Sequence, residues 1–279
     1  MRAAVFTVGA GLAAAYIASP AVFFAQSGIS VILYNLGMKL RKIYFAAAVA
    51  ALALGGWGGC SPRVTRYALK KAQLTSSRVY YVPAGQFGIV KFPPPPGAES
   101  DAQQQDLAAT LAWQNKRTEN DCFKARETAK ADYDFFWGDK SPFPSPLPEE
   151  VKKFFIRLES DLGDALSTMK NRYERLRPYK AYPGQAVPCI KKTSGYSYPS
   201  GHSSYARVFA KVLADIVPAR KDEFLEKADE IALDRVIGGV HYKTDIAAGK
   251  VFGDLFHAGL LKSEAYQKDI EKMKTLLVR

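Results

Sequence analysis

The sequence predicts an all-α protein whose functional body is a single helical domain, residues 99–279, and three observations carry that prediction. Apolar residues recur three and four apart over long stretches, strict apolar–polar alternation is nearly absent, and prolines fall between the periodic stretches rather than inside them. The first stretch holds Leu107 and Leu111. A loop with Pro142, Pro144, Pro146 and Pro148 separates it from the second, which runs Val151, Phe155, Leu158, Leu162, Leu166, Met169 and Tyr173. This reads as a long central helix that continues to Arg177, with Pro178 as its stop. The third stretch, Tyr205, Phe209, Val212, Leu213 and Ile216, lies between Pro199 and Pro218. No apolar run in the body approaches the ~20 residues needed to cross a bilayer, and no internal repeat is present.

Ahead of the body the chain divides in three. Residues 61–98, with Pro93-Pro94-Pro95-Pro96-Gly97, read as an extended lead-in or linker. Residues 38–60 have the layout of a signal peptide: a basic patch (Lys39, Arg41, Lys42), an apolar run from Ile43 to Leu54, then Gly55-Gly56-Trp57-Gly58-Gly59-Cys60. Because that signal begins at Met38, residues 1–37 are expected to be an upstream over-extension of the reading frame. The alternative is an extra hydrophobic, membrane-spanning segment between Ala3 and Leu36, interrupted by Pro20, Gln26 and Ser27. Cys60 after two glycines resembles the lipobox of bacterial lipoproteins, with lipidation of Cys60 as the implied outcome. Ordinary cleavage near Gly58 or Gly59, or after Ala53, is the competing reading. The expectation is therefore export, to the periplasm or to an outer-membrane-anchored lipoprotein of a bacterium. Cys122 and Cys189 remain, and in an oxidising compartment they either pair or stay free.

Composition, 48% hydrophobic and 24% charged, suits a packed body and argues against disorder. The net charge is +12; residues 1–60 carry four basic residues and no acid, so the rest holds about +8. A basic body favours anionic partners, and charge alone does not choose among nucleic acid, anionic membrane surfaces and small phosphorylated molecules.

Three short segments make the choice. On one helix Lys170 and Arg177, seven residues apart, are two turns less about 20° and share a side, at the edge of the apolar stripe. Pro199-Ser200-Gly201-His202 ends a loop and opens a helix: free amides carry the positive end of the dipole, Gly201 allows close backbone approach, and Ser200 adds a hydroxyl. In Arg235-Val236-Ile237-Gly238-Gly239-Val240-His241-Tyr242-Lys243-Thr244-Asp245, a helix after the glycine pair sets His241 and Asp245 one turn apart. The carboxylate can then hold one ring nitrogen and leave the other free. The third histidine, His257, has no motif around it and reads as structural or surface. A zinc site from His202, His241, Asp245 and His257 lacks any H-x-x-E-H spacing.

Together the blocks K-x6-R-P (170–178), P-S-G-H (199–202) and R-x5-H-x3-D (235–245) resemble the class A bacterial non-specific acid phosphatases, within the superfamily of type 2 phosphatidic acid phosphatases and vanadium haloperoxidases. Gln103-Gln104-Gln105, Trp113 to Cys122 and Pro188-Cys189 are also similar to soluble members, so the resemblance spans 99–261. Asp234 departs from the pattern, standing where the family has Ser; it puts in doubt a secondary hydrogen bond and offers a carboxylate that could orient Arg235. The resemblance implies a metal-independent acid phosphatase acting on phosphate monoesters. His241 forms a phosphohistidine, Asp245 holds its ring, and His202 serves as acid and then base. Lys170, Arg177, Arg235, Ser200 and the Gly201 amide stabilise the phosphoryl oxygens. It further implies no cofactor, vanadate as an inhibitor, an acidic optimum, small phosphorylated substrates rather than nucleic acid, and a homodimer. Two alternatives stand beside it: a vanadate-dependent haloperoxidase, and a non-catalytic lipoprotein that binds phosphate or a membrane surface.

Overall fold

Residues 78–277 are described by a computed structural model, and the readings made on residues 1–37, on 38–60 and on Cys60 lie outside them. Among the described residues there are nine α-helices and no strand. They are α1 (Asp101–Lys116), α2 (Glu119–Glu127), α3 (Tyr133–Trp137), α4 (Glu149–Tyr173), α5 (Pro178–Ala181), α6 (Gly201–Ile216), α7 (Lys221–Ile237), α8 (Lys243–Leu260) and α9 (Glu264–Lys274).

The middle of the fold is α6. Its apolar residues occupy more than half its circumference, with Val208, Phe209, Ala210, Val212 and Leu213 all fully buried, so neighbours must cover it on several sides. α7 and α8 flank it, and α4 packs across it. The α4 stripe read from sequence faces this core: Val151, Phe155, Leu158, Leu162, Leu166 and Met169 are buried. Phe155 stacks on Tyr133 at 3.7 Å between ring centroids and meets Phe209 edge-on at 5.4 Å, arrangements that add to area burial.

Local chemistry sets the helix starts. Ser100 Oγ accepts from the Gln103 amide at the head of α1, and Thr118 with Asp121 forms a reciprocal capping box on α2. Glu149 and Glu150 lie in the first turn of α4, where the helix dipole favours negative charge.

Three expectations need correction. The central helix ends at Tyr173 and does not reach Arg177: Glu174 takes a left-handed conformation (φ 48°) with its amide donating to the Lys170 carbonyl at 2.9 Å. Arg177 is extended, as the steric demand of a following proline dictates, and Pro178 begins α5 instead of stopping α4. Lys170 and Arg177 thus do not share a helix face. Second, Leu111 is not a core residue; α1 buries Gln103, Asp106 and Thr110 beside Leu107, so its inward face is largely polar. Third, the described part of the lead-in, 78–98, belongs to the core. The amides of Tyr80, Tyr81 and Val82 all donate to Asp161, a buried carboxylate in the middle of α4. Phe87 packs edge-on against Phe252 and Phe92 against Tyr198. Its lack of periodicity hid this, because a segment pinned by single aromatic anchors has no period to read.

α6 and α8 approach closely at Gly249, where a Cβ would stand 2.7 Å from both the Ser200 carbonyl oxygen and the Ser203 Cβ. Gly249→Ala is therefore expected to cost about 1–3 kcal/mol in stability, as over-packing does. Urea denaturation of the variant beside the parent protein checks this.

Candidate active site

The glycine pair after α7 turns the chain so that His241 is brought back over Arg235. Gly239 has φ 75°, and a Cβ there would meet the Pro188 Cα at 3.0 Å, so both conformation and space demand glycine. The His241 amide donates to the Arg235 carbonyl at 3.2 Å. α8 begins at Lys243, so His241 precedes it and Asp245 stands at its third position. The expected one-turn spacing is met through this N-terminal turn: Asp245 Oδ2 accepts from the Tyr242 amide at 2.9 Å and lies 3.3 Å from His241 Nδ1.

The other ring nitrogen defines the tautomer. Arg177 Nη1 lies 2.9 Å from His241 Nε2, and a guanidinium can only donate, so Nε2 is the unprotonated nitrogen and Nδ1 carries the proton. Asp245 Oδ2 and Ser197 Oγ, each 3.3 Å from Nδ1, receive that proton's hydrogen bond. Burial, reinforced by the Arg177 charge, holds His241 well below the usual histidine range despite the opposing carboxylate. Burial alone would raise Asp245, yet its hydrogen bonds and the neighbouring cations bring it down to about 2. The imidazole is thus neutral with Nε2 unprotonated, the form a nucleophilic histidine needs, and Nε2 becomes free to attack once an anion takes over the Arg177 hydrogen bond.

Lys170 gathers the loop before α6. Its Nζ donates to the carbonyls of Tyr196 and Pro199, both at 2.8 Å. Burial, with Arg177 nearby, lowers its pKa to about 7. Ser200 caps α6, its Oγ accepting from the Ser203 amide, while its own amide donates to the Asp245 carbonyl at 3.0 Å. The Ser200 amide is thus spoken for, but Gly201 and His202 stand at the first two positions of α6, where amides have no intrahelical acceptor. Space for a ligand is open beside Gly201: a Cβ built there meets nothing within 4 Å.

His202 and Arg235 complete the set. His202 Nε2 donates to the Ala129 carbonyl at 2.9 Å, leaving Nδ1 as the nitrogen that titrates. Burial, then the charges of Arg235, Arg177 and Lys170, push its pKa down to about 3. Arg235 is 1% exposed; its Nη2 donates to the Ala125 carbonyl and to Thr128 Oγ1, while its Nε has no partner among the described residues. Burial lowers Arg235 to about 10, so it stays charged at neutral and acid pH. Three cations and a helix N-terminus therefore converge beside one paired carboxylate, which is a site built for an anion.

Several residues that the motifs do not name hold this arrangement. Arg175 is buried and donates from Nη1 to Asp245 Oδ1 at 2.6 Å and to Thr244 Oγ1 at 2.8 Å. Its Nη2 donates to Gln103 Oε1 at 2.6 Å and Asp106 Oδ2 at 2.7 Å. Asp106 also accepts from the Thr244 amide and hydroxyl. Ser197 donates to Asp245 Oδ2 at 2.5 Å. The available signal was the i, i+3 pair Gln103 and Asp106 beside Leu107, polar residues on the one apolar face of α1. His257 is buried and pairs with Asp215 at 2.8 Å, sharing that carboxylate with Tyr266. It is not brought to His202, His241 and Asp245, and among the described residues no three His, Cys, Asp or Glu side chains are placed to share a metal ion. Cys122 and Cys189 are bonded, joining α2 to the loop before Ile190 across 67 residues.

Arg175→Met removes the partner of two buried carboxylates, Asp106 and Asp245, and is expected to cost about 3–5 kcal/mol, as breaking a buried pair does. Adding Asp106→Asn should recover part of that loss. Denaturant unfolding of the two variants checks this, and a cost under about 1 kcal/mol would mean that Asp245 is held without Arg175.

The chain is similar to known proteins over this same region. A family model described as the PAP2 superfamily matches residues 162–269, which contain all three motif segments. A non-specific acid phosphatase of Providencia stuartii is 29% identical over 216 residues, 72% of this chain and 85% of that protein. One of Salmonella typhimurium is 28% identical over 191 residues, 65% of this chain and 76% of that protein. Among solved structures, a bacterial vanadium-dependent chloroperoxidase in its holo form superposes with a TM-score of 0.50 at 12% identity. The match covers 72% of this chain and about half, 55%, of that one; at this identity the likeness is one of fold. With its motif segments assembled in one site on an all-helical frame, the chain is similar to the PAP2 superfamily over residues 162–269 and to non-specific acid phosphatases over a longer stretch.

Proposed function

We propose that this protein is an acid phosphatase that hydrolyses phosphate monoesters through a phosphohistidine on His241, with no metal ion taking part. Its being a phosphatase rests on the family match and on the relatives named non-specific acid phosphatases; the route is our own reading. The observation that carries it is the His241 tautomer: Nδ1–H is held by Asp245 and Ser197, and Nε2 offers its lone pair toward the cations.

In the first step His241 Nε2 bonds to phosphorus, the bond from phosphorus to the ester oxygen breaks, and protonated His202 gives its Nδ1 proton to the departing oxygen. In the second, neutral His202 takes a proton from water as that water attacks phosphorus, the phosphorus–nitrogen bond breaks, and inorganic phosphate leaves. Arg177, Arg235, the α6 amides and Lys170 stabilise the equatorial oxygens, supplying the positive charge that a metal ion supplies elsewhere. His202 must be protonated to begin, although burial first, and then the neighbouring cations, depress it in the free site. A phosphate dianion among those cations cancels that field and raises His202, so binding prepares the acid.

The proposal extends to setting. The enzyme is exported, to the periplasm or as an outer-membrane-anchored lipoprotein through Cys60. It forms a homodimer and acts on small phosphorylated molecules rather than nucleic acid, with vanadate as an inhibitor.

His241→Ala is expected to remove turnover by at least about 10³-fold and to abolish the acid-quenched phosphoprotein seen with labelled substrate; near-normal turnover overturns the nucleophile. His202→Ala should lose about 10²–10⁴-fold with alkyl phosphates, whose leaving groups need a proton, and far less with p-nitrophenyl phosphate. Equal losses would remove His202 as the acid.

The pH dependence has two separable parts. kcat falls as pH rises and His202 in the complex loses its proton. KM rises above about pH 7, where Lys170 loses its charge, although the ester is then fully dianionic (second pKa about 6). Steady-state kinetics from pH 4 to 9 with chelator present, and halide oxidation with added vanadate as the competing assay, test the reading. Chelator-sensitive turnover overturns metal independence.

A further inference from the structure

Asp234, the one departure from the family pattern within the motif segments, lies one residue before Arg235 and touches it only indirectly. Thr128, just past α2, stands between them. Thr128 Oγ1 is 2.7 Å from Asp234 Oδ2 and 2.6 Å from Arg235 Nη2. A guanidinium can only donate and an ionised carboxylate can only accept, so the single hydroxyl proton goes to Asp234 and the hydroxyl lone pair receives Arg235. Among the described residues the other acceptor within reach of that hydroxyl is the Ala125 carbonyl, 3.5 Å away. Arg235 Nη2 also donates to that carbonyl at 2.5 Å, so it is held at two points by the C-terminal end of α2. On the same buried guanidinium Nε has no acceptor among the described residues.

We propose that Asp234 is a positioning residue for phosphate. Through the Thr128 hydroxyl it locks the Nη2 corner of Arg235 onto α2, so that Nε is left aimed at an equatorial phosphoryl oxygen. This rests on the phosphatase reading of the site. The carboxylate contributes direction and strength. It fixes the hydroxyl rotor, which would otherwise be able to point its proton at Arg235, and it polarises the oxygen that Arg235 meets. Without Asp234, Thr128 can turn its proton toward the Ala125 carbonyl, and the guanidinium has one firm contact in place of two. α2 is a steady anchor for the relay, because the Cys122–Cys189 bond ties it to the loop leading to Ile190.

The test uses the full chain, four single variants and one double variant, with two readouts: kcat and KM for p-nitrophenyl phosphate, and binding of inorganic phosphate by calorimetry. Asp234→Ala and Thr128→Val should each weaken phosphate binding about tenfold and raise KM in parallel, with kcat changing less. Asp234→Asn and Thr128→Ser, which keep the acceptor and the hydroxyl, should recover most of the affinity. The double variant Asp234→Ala/Thr128→Val should be no weaker than the worse single, since both cut one chain. Equal loss in Asp234→Asn and Asp234→Ala would assign the effect to charge and overturn the relay, as would additive losses or unchanged binding in folded Asp234→Ala. If Asp234→Ala does not fold, the pair Thr128→Val and Thr128→Ser carries the comparison. Wild-type protein that binds phosphate without turnover would defeat the phosphatase reading while leaving the positioning role readable by calorimetry.

Discussion

A single fully buried carboxylate, Asp245, organises the site. An ionised carboxylate removed from water needs its lone pairs filled, and leaving one partner out is costly. Asp245 draws donors from four separate places: Arg175 after α4, Ser197 in the loop before α6, His241 between α7 and α8, and the Tyr242 amide at the start of its own helix. Its backbone carbonyl also receives the Ser200 amide. Satisfying this one group therefore pulls the three motif segments onto a common centre. His241 and the cationic cradle meet because both are tied to the same carboxylate.

Around that centre the charge is deliberately unbalanced. Arg175 is the cation that neutralises Asp245 and Asp106, and it is consumed by them. Lys170, Arg177 and Arg235 have no carboxylate in direct contact among the described residues; they donate to backbone carbonyls, a ring nitrogen and a hydroxyl. Carbonyls hold a cation in place without cancelling its charge, so its field remains for a ligand. The depressed His202 and Lys170 report that surplus, each lowered first by burial and then by neighbouring positive charge. An arriving phosphate therefore meets pre-placed charge and needs little reorganisation.

The elements legible in the sequence were those with a period. The α4 and α6 stripes gave helix, core face and fold class, because amphipathic helices advertise their burial. The motif residues were legible as well: Lys170, Arg177, Ser200, Arg235, His241 and Asp245 meet in one place. What the sequence concealed was aperiodic. The end of α4 depends on one left-handed residue, Glu174, a type with no particular preference for that conformation. The lead-in is held by Asp161 and a few aromatic anchors. Arg175 was overlooked because a buried arginine next to a motif arginine looks like surface charge until four acceptors, from Gln103 to Asp245, are seen around it.

The same distinction separates Asp245 and Arg175 from Asp234. Asp245 and Arg175 are each committed to several partners on different elements, so a change at either leaves another buried charge unpaired. Asp234 is half-buried at the outer end of a chain of contacts, and among the described residues its carboxylate is hydrogen-bonded by a hydroxyl, that of Thr128. A serine there could donate or accept, whereas a carboxylate can only accept, so the replacement converts a neutral, rotatable contact into a directed one. A change at Asp234 therefore bears on Arg235 through one hydroxyl, whereas a change at Asp245 bears directly on four donors at once.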